Sequence, residues 1–199
     1  KGKPVRFRSP RDAFEAGVGY LPEDRKNQGV LLNLPIYQNI TLSALGKSYT
    51  GTLGFVKRSR ERKDVRGLAE EVTLKAASLK NEVGSLSGGN QQKVAVARLM
   101  ATKSEVLILD EPTRGVDVGA KQDIFRLIND IAKNGKAVIY ASCENSELLS
   151  LTDRIYVMYS GRIMAELSRG IYPPRMVARS KAESTDRLAT VAVSHRLFG

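Results

Sequence analysis

The sequence predicts an α/β fold, a mostly parallel sheet covered by helices and interrupted by an α-helical block, and three observations point there. Residues 106–109 (VLIL) are an apolar run without polar alternation, the pattern of a strand buried on both faces, and the run ends in two acids. Helix-like and strand-like stretches alternate from residue 90 to residue 141, which implies strand–helix units and parallel pairing. Between residues 33 and 82 the apolar positions Ile36, Ile40, Leu42, Leu45, Val65, Leu68, Val72, Leu74 and Leu79 recur at spacings of three and four, with no period-two stretch, so this block is expected to be helical.

Taken in order, residues 3–32 predict a short strand, a helix and a second strand. Ser9 followed by Asp12 has the spacing of a capping box, Pro10 suits the first helical position, and Gly17 ends the helix. The apolar run 18–21 is then a strand that stops at Pro22. After the helical block, Gly88 and Gly89 precede a helix over 90–101, the 106–109 strand follows, and a helix over 120–134 leads to a strand over 136–141. Residues 155–167 predict a hairpin turning at Ser160 and Gly161. The basic segment 168–199, broken by Pro173 and Pro174, fits this scheme poorly and carries no assigned role. His195, the single histidine, lies in it and is expected to be an ordinary side chain.

The chain's 199 residues fall in the ~100–200 expected of one domain. No apolar run approaches the ~18 residues needed to span a bilayer, and the first residues lack the apolar stretch of a signal peptide, so a cytosolic setting is expected. The lone Cys143 excludes an internal disulfide and a cysteine-built zinc site, so a metal would need oxygen ligands. A net charge of +11 favours an anionic partner, whether nucleotide, nucleic acid or an anionic membrane surface. The basic run 57–66 contains no aromatic residue, unlike the interleaved patches of nucleic-acid binders, and reads as a solvated helical face or a contact surface.

Two local patterns carry chemistry. In VLILDE (106–111), a strand delivers Asp110 and Glu111 to the carboxyl edge of the sheet, where ligands of α/β folds bind. There Asp110 would hold Mg²⁺, directly or through water, and Glu111 would polarise the water that attacks a terminal phosphate; the plain alternative is that the acids cap the next turn. In LSGGNQQK (86–93), two glycines allow close approach of an anion to the free N–H groups of a helix start, although a Ser-Gly-Gly turn can also be only a helix start.

Order and spacing narrow this. LSGGNQQK, then VLILDE, then PTRGVDVGAK (112–121) resemble the signature loop, Walker B strand and D-loop of the ATP-binding-cassette (ABC) family. YLPEDRK (20–26) lies where that family has its Q-loop, and the resemblance covers about residues 3–167. It implies a partial P-loop NTPase (RecA-like) core, residues 1–32 and 86–167, with an α-helical subdomain at 33–85 and a tail at 168–199. EDRKNQGV, LSGGNQQK and DEPTRGVDVGAK are similar to the second cassette of tandem-cassette importers of monosaccharides such as ribose, galactose and xylose. The resemblance implies ATP and Mg²⁺ as cofactors, with Glu111 catalytic and Asp110 on the metal. Ser87, Gly88, Gly89, Gln91 and Asp117 would meet a nucleotide held by a partner cassette, and Glu23 and Cys143 would fall at the Q-loop and switch positions. It further implies transmembrane permease subunits, a periplasmic sugar-binding protein acting indirectly, no nucleic acid, and a peripheral place on the cytoplasmic side of the cell membrane.

The sequence departs from the family pattern in three ways. No GxxxxGK[ST] loop occurs; the GKS at 46–48 has Thr41 where the first glycine belongs, so the chain is expected to be a fragment that begins after the loop and is inactive alone. The switch histidine falls on Cys143, and a neutral thiol cannot make a histidine's contact to a γ-phosphate. The Q-loop glutamine is replaced by Glu23. Beside the ATPase of a sugar importer, a non-hydrolysing cassette that lends its signature loop to a partner, and a soluble cassette ATPase acting on nucleic acid or ribosomes, remain open.

Overall fold

The computed structural model describes residues 4–51 and 54–168, together with the backbone of residues 188–194. The chain opens with α1 (Pro10–Glu15), whose capping box is complete: Ser9 Oγ accepts from the Asp12 N–H and the Asp12 carboxylate accepts from the Ser9 N–H at 3.1 Å. Gly17, at φ +89°, makes the turn into β1 (Val18–Leu21). The short strand expected ahead of this helix is not found among the described residues, where Val5 and Phe7 are exposed.

Residues 33–85 leave and rejoin the sheet layer at one place. Ile36 N–H donates to Asn81, Val83 N–H to Leu34 and Gly84 N–H to Leu32, so the two ends of the block are stitched side by side. Inside it stand α2 (Ile36–Thr41) and α3 (Arg58–Glu71), joined by short 3₁₀ and π turns over 42–49. Asn39, fully buried at the start of the block, accepts from the Leu31 N–H at 2.7 Å and donates to the carbonyls of Leu31, Leu34 and Pro35. Buried backbone groups left unpaired would cost about 1–3 kcal/mol each, so this one amide fixes how the block attaches. The expected helicity ends earlier than the apolar spacing suggested. Thr73, at φ +49°, stops α3, and the apolar residues Leu74 and Leu79 pack on the core from a loop whose carbonyls serve α2.

The block hands over to α4 (Gly88–Ala101), which is buried on nearly every side: Val94, Ala95, Val96, Ala97, Leu99 and Ala101 join the core, and Gln91, Gln92 and Lys93 are buried with them. Its apolar second half belongs in a core, and its buried polar residues are tolerated there where they find partners. It lies on β1 where Gly19 leaves room, since a Cβ there would come within 2.5 Å of Leu99 Cδ1. Lys93 is buried yet satisfied, donating to Asp123 at 2.8 Å and to the carbonyl and hydroxyl of Thr73.

β2 (Val106–Asp110), α5 (Val118–Lys133), β3 (Ala137–Ser142), α6 (Asn145–Leu151), β4 (Arg154–Tyr159) and β5 (Arg162–Ser168) follow. β1, β2 and β3 pair in parallel, as the alternating pattern predicts, and the β4–β5 hairpin turns through Ser160 and Gly161, both at positive φ. β2 buries Leu107 and Leu109 fully but Ile108 only in part, so one of its faces is covered less than the unbroken apolar run implied. α5 puts Ile124, Leu127, Ile128 and Ile131 into the core at spacings of three and four. Within the segment that carried no assignment, β6 (Leu188–Ser194) pairs antiparallel with both β3 and β4, giving the order β1-β2-β3-β6-β4-β5. His195 lies outside the described residues.

The N-termini of α4 and α5 touch: a Cβ on Gly89 would stand 2.5 Å from Ala120 Cβ. Gly89→Ala is expected to destabilise the chain by about 1–3 kcal/mol through overpacking, lowering the thermal midpoint by roughly 2–4 °C per kcal/mol. Ala120→Gly in the same molecule should recover most of the loss. Calorimetry that finds the single variant as stable as the parent would refute this contact.

Candidate functional site

The parallel strand β2 carries Asp110 to its carboxyl end, and the chain leaves the sheet at the next residue. Glu111 does so in the left-handed region, at φ +44°, a conformation that costs a residue with a Cβ about 1–2 kcal/mol. Its surroundings hold it there. Its N–H donates to the Ala141 carbonyl at 2.9 Å, its carbonyl accepts from the Arg114 N–H, and its Oε1 accepts from the Cys143 N–H at 2.6 Å. Asp110 Oδ2 accepts from the Tyr20 hydroxyl at 2.9 Å. Burial and the adjacent Asp110 push the Tyr20 hydroxyl up, so it stays a donor. Oδ1 of Asp110 has no hydrogen-bond partner among the described residues. Glu23 pairs with Arg114, which follows Glu111 by three residues.

A second group of predicted residues assembles at the mouth of α4. Ser87, exposed, is the N-cap: its Oγ accepts from the Asn90 N–H at 3.4 Å and from the Asn90 side chain at 3.0 Å. Gly88 and Gly89 follow, their N–H groups without partners inside the helix. Exposed Asp117 caps α5 in the same way, accepting from the Ala120 N–H at 2.9 Å. Ser87, Gly89, Asn90, Asp117 and Ala120 line one open depression of about 460 Å³. Gln91 is turned inward, its amide donating to the Leu86 carbonyl at 3.0 Å, and its Oε1 is buried without a partner among the described residues. The predicted residues therefore fall into two groups, Asp110, Glu111, Cys143 and Glu23 in one and Ser87, Gly88, Gly89 and Asp117 in the other, joined by the segment 112–117.

Sequence patterns missed four participants. Tyr20 on β1 reaches Asp110 only because β1 and β2 are paired in register, Tyr20 beside Ile108. Arg25 donates to Gln92 at 3.1 Å under the helix mouth, close enough that a Cβ on Gly88 would meet its Nη2 at 3.4 Å; the EDRK string contained this residue without showing its direction. Thr113 and Glu147 are the others. Glu147, 3% exposed, accepts from the Thr113 hydroxyl at 2.8 and 2.9 Å, Tyr140 at 2.7 Å, Ser142 at 3.0 Å and Lys121 at 3.1 Å. No spacing in the sequence marked it.

Burial pushes the Glu147 carboxyl up, but the bonds from Tyr140, Thr113, Lys121 and Ser142 outweigh burial and hold it below the usual glutamate range. An unfolded glutamate titrates near pH ~4.3. The ionised network therefore contributes fully above that pH, and its contribution is lost as the pH falls toward the lower folded value. The stability gap between the parent chain and Glu147→Gln, read from urea midpoints, should be widest at neutral pH and narrow steadily below pH ~4. A gap that does not change with pH would show that the folded carboxyl is not charged.

Comparison with known proteins identifies the family and the fold. The sequence model of the ABC transporter family matches residues 1–114. Ribose import ATP-binding protein RbsA 3 of Rhizobium meliloti (strain 1021) is 49% identical over 172 residues, 86% of this chain and 34% of that protein. A putative ribose/galactose/methyl galactoside import ATP-binding protein of the same organism is 50% identical over 84% of this chain and 33% of its own length. The chain thus spans about a third of the length of these relatives. Among solved structures, the ATP-binding cassette MJ1267 of an ABC transporter superposes with a TM-score of 0.73 at 20% identity, covering 88% of this chain and 70% of that one. The cassette MJ0796 in a dimeric, post-hydrolysis state with ADP and Pi superposes with a TM-score of 0.65 at 23% identity, over 77% of this chain and 64% of that one. The chain belongs to the ABC transporter family.

Proposed function

We propose that this chain is the signature and Walker B portion of the ATPase subunit of an ABC importer of monosaccharides of the ribose class, within the second of two tandem cassettes. The observation that carries the proposal is the held pair of acids at the carboxyl rim of the sheet. Glu111 is turned out of the strand at positive φ and pinned by a backbone N–H, beside Asp110 with one carboxylate oxygen open. Its relatives among ribose import ATP-binding proteins supply the substrate class.

In this reading Glu111 is the catalytic acid that orients and polarises the attacking water, and Asp110 holds Mg²⁺. The donor set fits that ion: one carboxylate from β2 and, among the described residues, no cluster of three or more acid, histidine or cysteine ligands, which suits a cation that arrives with phosphate and keeps waters rather than one caged by protein. Mg²⁺ would neutralise charge developing on the transferred phosphoryl group. Ser87, Gly88 and Gly89 offer their helix mouth to the terminal phosphate of ATP held by the partner cassette, Asp117 lies at the same seam, and Gln91 braces the loop from behind. Glu23 holds Arg114 in the turn after Glu111, and Cys143 acts through its main-chain N–H. Residues 1–32 and 86–167 form the ATPase core and 33–85 the helical subdomain, which would pass closure of the cassette pair to permease subunits on the cytoplasmic side of the cell membrane, the sugar reaching them from a periplasmic binding protein. No helix among the described residues is long and apolar enough to cross a membrane, so the chain would sit there peripherally.

The test is ATP hydrolysis by the full-length polypeptide assembled with its permease. Glu111→Gln is expected to lower the rate on the order of 10²-fold or more, and Ser87→Arg, which crowds the helix mouth, should impair hydrolysis at the partner's phosphate loop. Hydrolysis at the parent rate in both variants would refute the assigned roles.

A further inference from the structure

We infer that Glu147 is the positioning residue for Glu111, one buried carboxylate that ties together the two chain segments between which Glu111 is held. This rests on the proposed role of Glu111 as the water-orienting acid and extends it to a residue that never meets the nucleotide.

The argument begins with how the carboxylate divides its bonds. Its Oε1 accepts from Lys121 on α5 at 3.1 Å, Oε2 accepts from Tyr140 at 2.7 Å and Ser142 at 3.0 Å, both near the end of β3, and the Thr113 hydroxyl lies within reach of both oxygens at 2.8 and 2.9 Å. Thr113 stands two residues past Glu111, in the turn that leads to Asp117 and α5. Ser142 immediately precedes Cys143, whose N–H holds Glu111 Oε1 at 2.6 Å. Ser142 Oγ also accepts from the Glu144 N–H at 3.0 Å, which shapes the turn on the far side of Cys143. The two segments that fix Glu111, one through its covalent chain and one through its carboxylate, are thus anchored to the same side chain.

Every carboxylate bond of Glu147 given above leaves α6 and goes instead to β3, to α5 or to the turn after Glu111. Lys121 also donates to Glu144 at 2.6 Å, a second tie between α5 and the loop that carries Cys143. A charged carboxylate this deeply buried is tolerable only when its lone pairs are satisfied, so its partners cannot shift singly without leaving one unmet. That coupling makes the location of the Cys143 N–H relative to Glu111 a property of Glu147.

The experiment uses the full-length polypeptide assembled with its permease, with MgATP as the probe. Glu147→Gln and the partner variants Thr113→Val and Ser142→Ala, each of which removes one hydroxyl from the network, are expected to lower kcat by about 10–100-fold, since a displacement of about 1 Å in a reacting group costs that much. The KM for ATP should stay within about twofold, because none of these residues is among those assigned to nucleotide binding. In the same variants hydrogen exchange at the Cys143 amide should speed by about tenfold or more as its bond to Glu111 loosens. Unchanged exchange at Cys143 overturns the inference. Faster exchange with an unchanged kcat, while Glu111→Gln abolishes hydrolysis, overturns the positioning role and leaves the role of Glu111 standing. Parent-rate hydrolysis in Glu111→Gln removes that role and the inference with it. Should Glu147→Gln fail to fold, the two hydroxyl variants decide.

Discussion

The constraint on which the structure depends is the burial of α4. A helix covered on nearly every side has little freedom to rotate, because its buried faces are already matched to different neighbours. Val94, Val96 and Leu99 are each worth about 1.5–3 kcal/mol when fully buried, and Lys93 adds a directional bond to Asp123 on α5 that only one rotation allows. An unpaired ammonium at that depth would cost several kcal/mol, so the helix cannot turn without breaking the pair. The result is that its N-terminus, and with it Ser87 and the two glycines, emerges at a fixed place beside Asp117. The signature loop is positioned by a core, not by its own flexibility.

The other end of the site is positioned by strain that its surroundings hold in place. Glu111 sits in a backbone region that disfavours side chains, and three hydrogen bonds to its own atoms keep it there. The proposed placement of Cys143 where the family has its switch histidine bears on this. The contact that links this position to Glu111 is made by the backbone N–H, which every residue but proline possesses, so the substitution changes what could reach a phosphate while leaving the hold on Glu111 intact. The identity of the side chain at residue 143 and the geometry of Glu111 are therefore separable.

Much of this was legible in the sequence, for physical reasons that differ by element. The capping box at Ser9 and Asp12, the Ser160–Gly161 turn and the strand ending in Asp110 and Glu111 are local, since each is decided by residues within a few positions of one another. The helical block was recognisable from apolar spacing, but its last third was not, because Leu74 and Leu79 serve the core equally well from a loop once Thr73 has ended α3. The clustering of the site was legible only as motifs in order. Tyr20 reaches its partner across parallel strands, and Glu147 meets partners on a strand, a helix and, through Thr113, a turn, and no periodicity records such meetings. β6 went unread because its residues, small and β-branched in a basic, proline-broken context, have no period of their own. What makes them a strand is the slot they fill.

That slot bears on the site. β3 and β4 both pair with β6 in the antiparallel sense, so they run in the same direction with one strand's width between them. Were the slot vacant, each would present a row of unpaired N–H and C=O groups along its inner edge, a state that sheets avoid. β6 supplies partners along both edges at once. Its register with β3 reaches Ala141 and Ser142, opposite Val191 and Thr190. Those are the residues from which the Ala141 carbonyl accepts the Glu111 N–H and the Ser142 hydroxyl reaches Glu147. The far end of β3 is therefore braced on one edge by β2, which carries Asp110, and on the other by β6. A strand held along both edges gives the Cys143 N–H a fixed origin, and the precision with which Glu111 can be held is limited by that bracing as much as by its own hydrogen bonds.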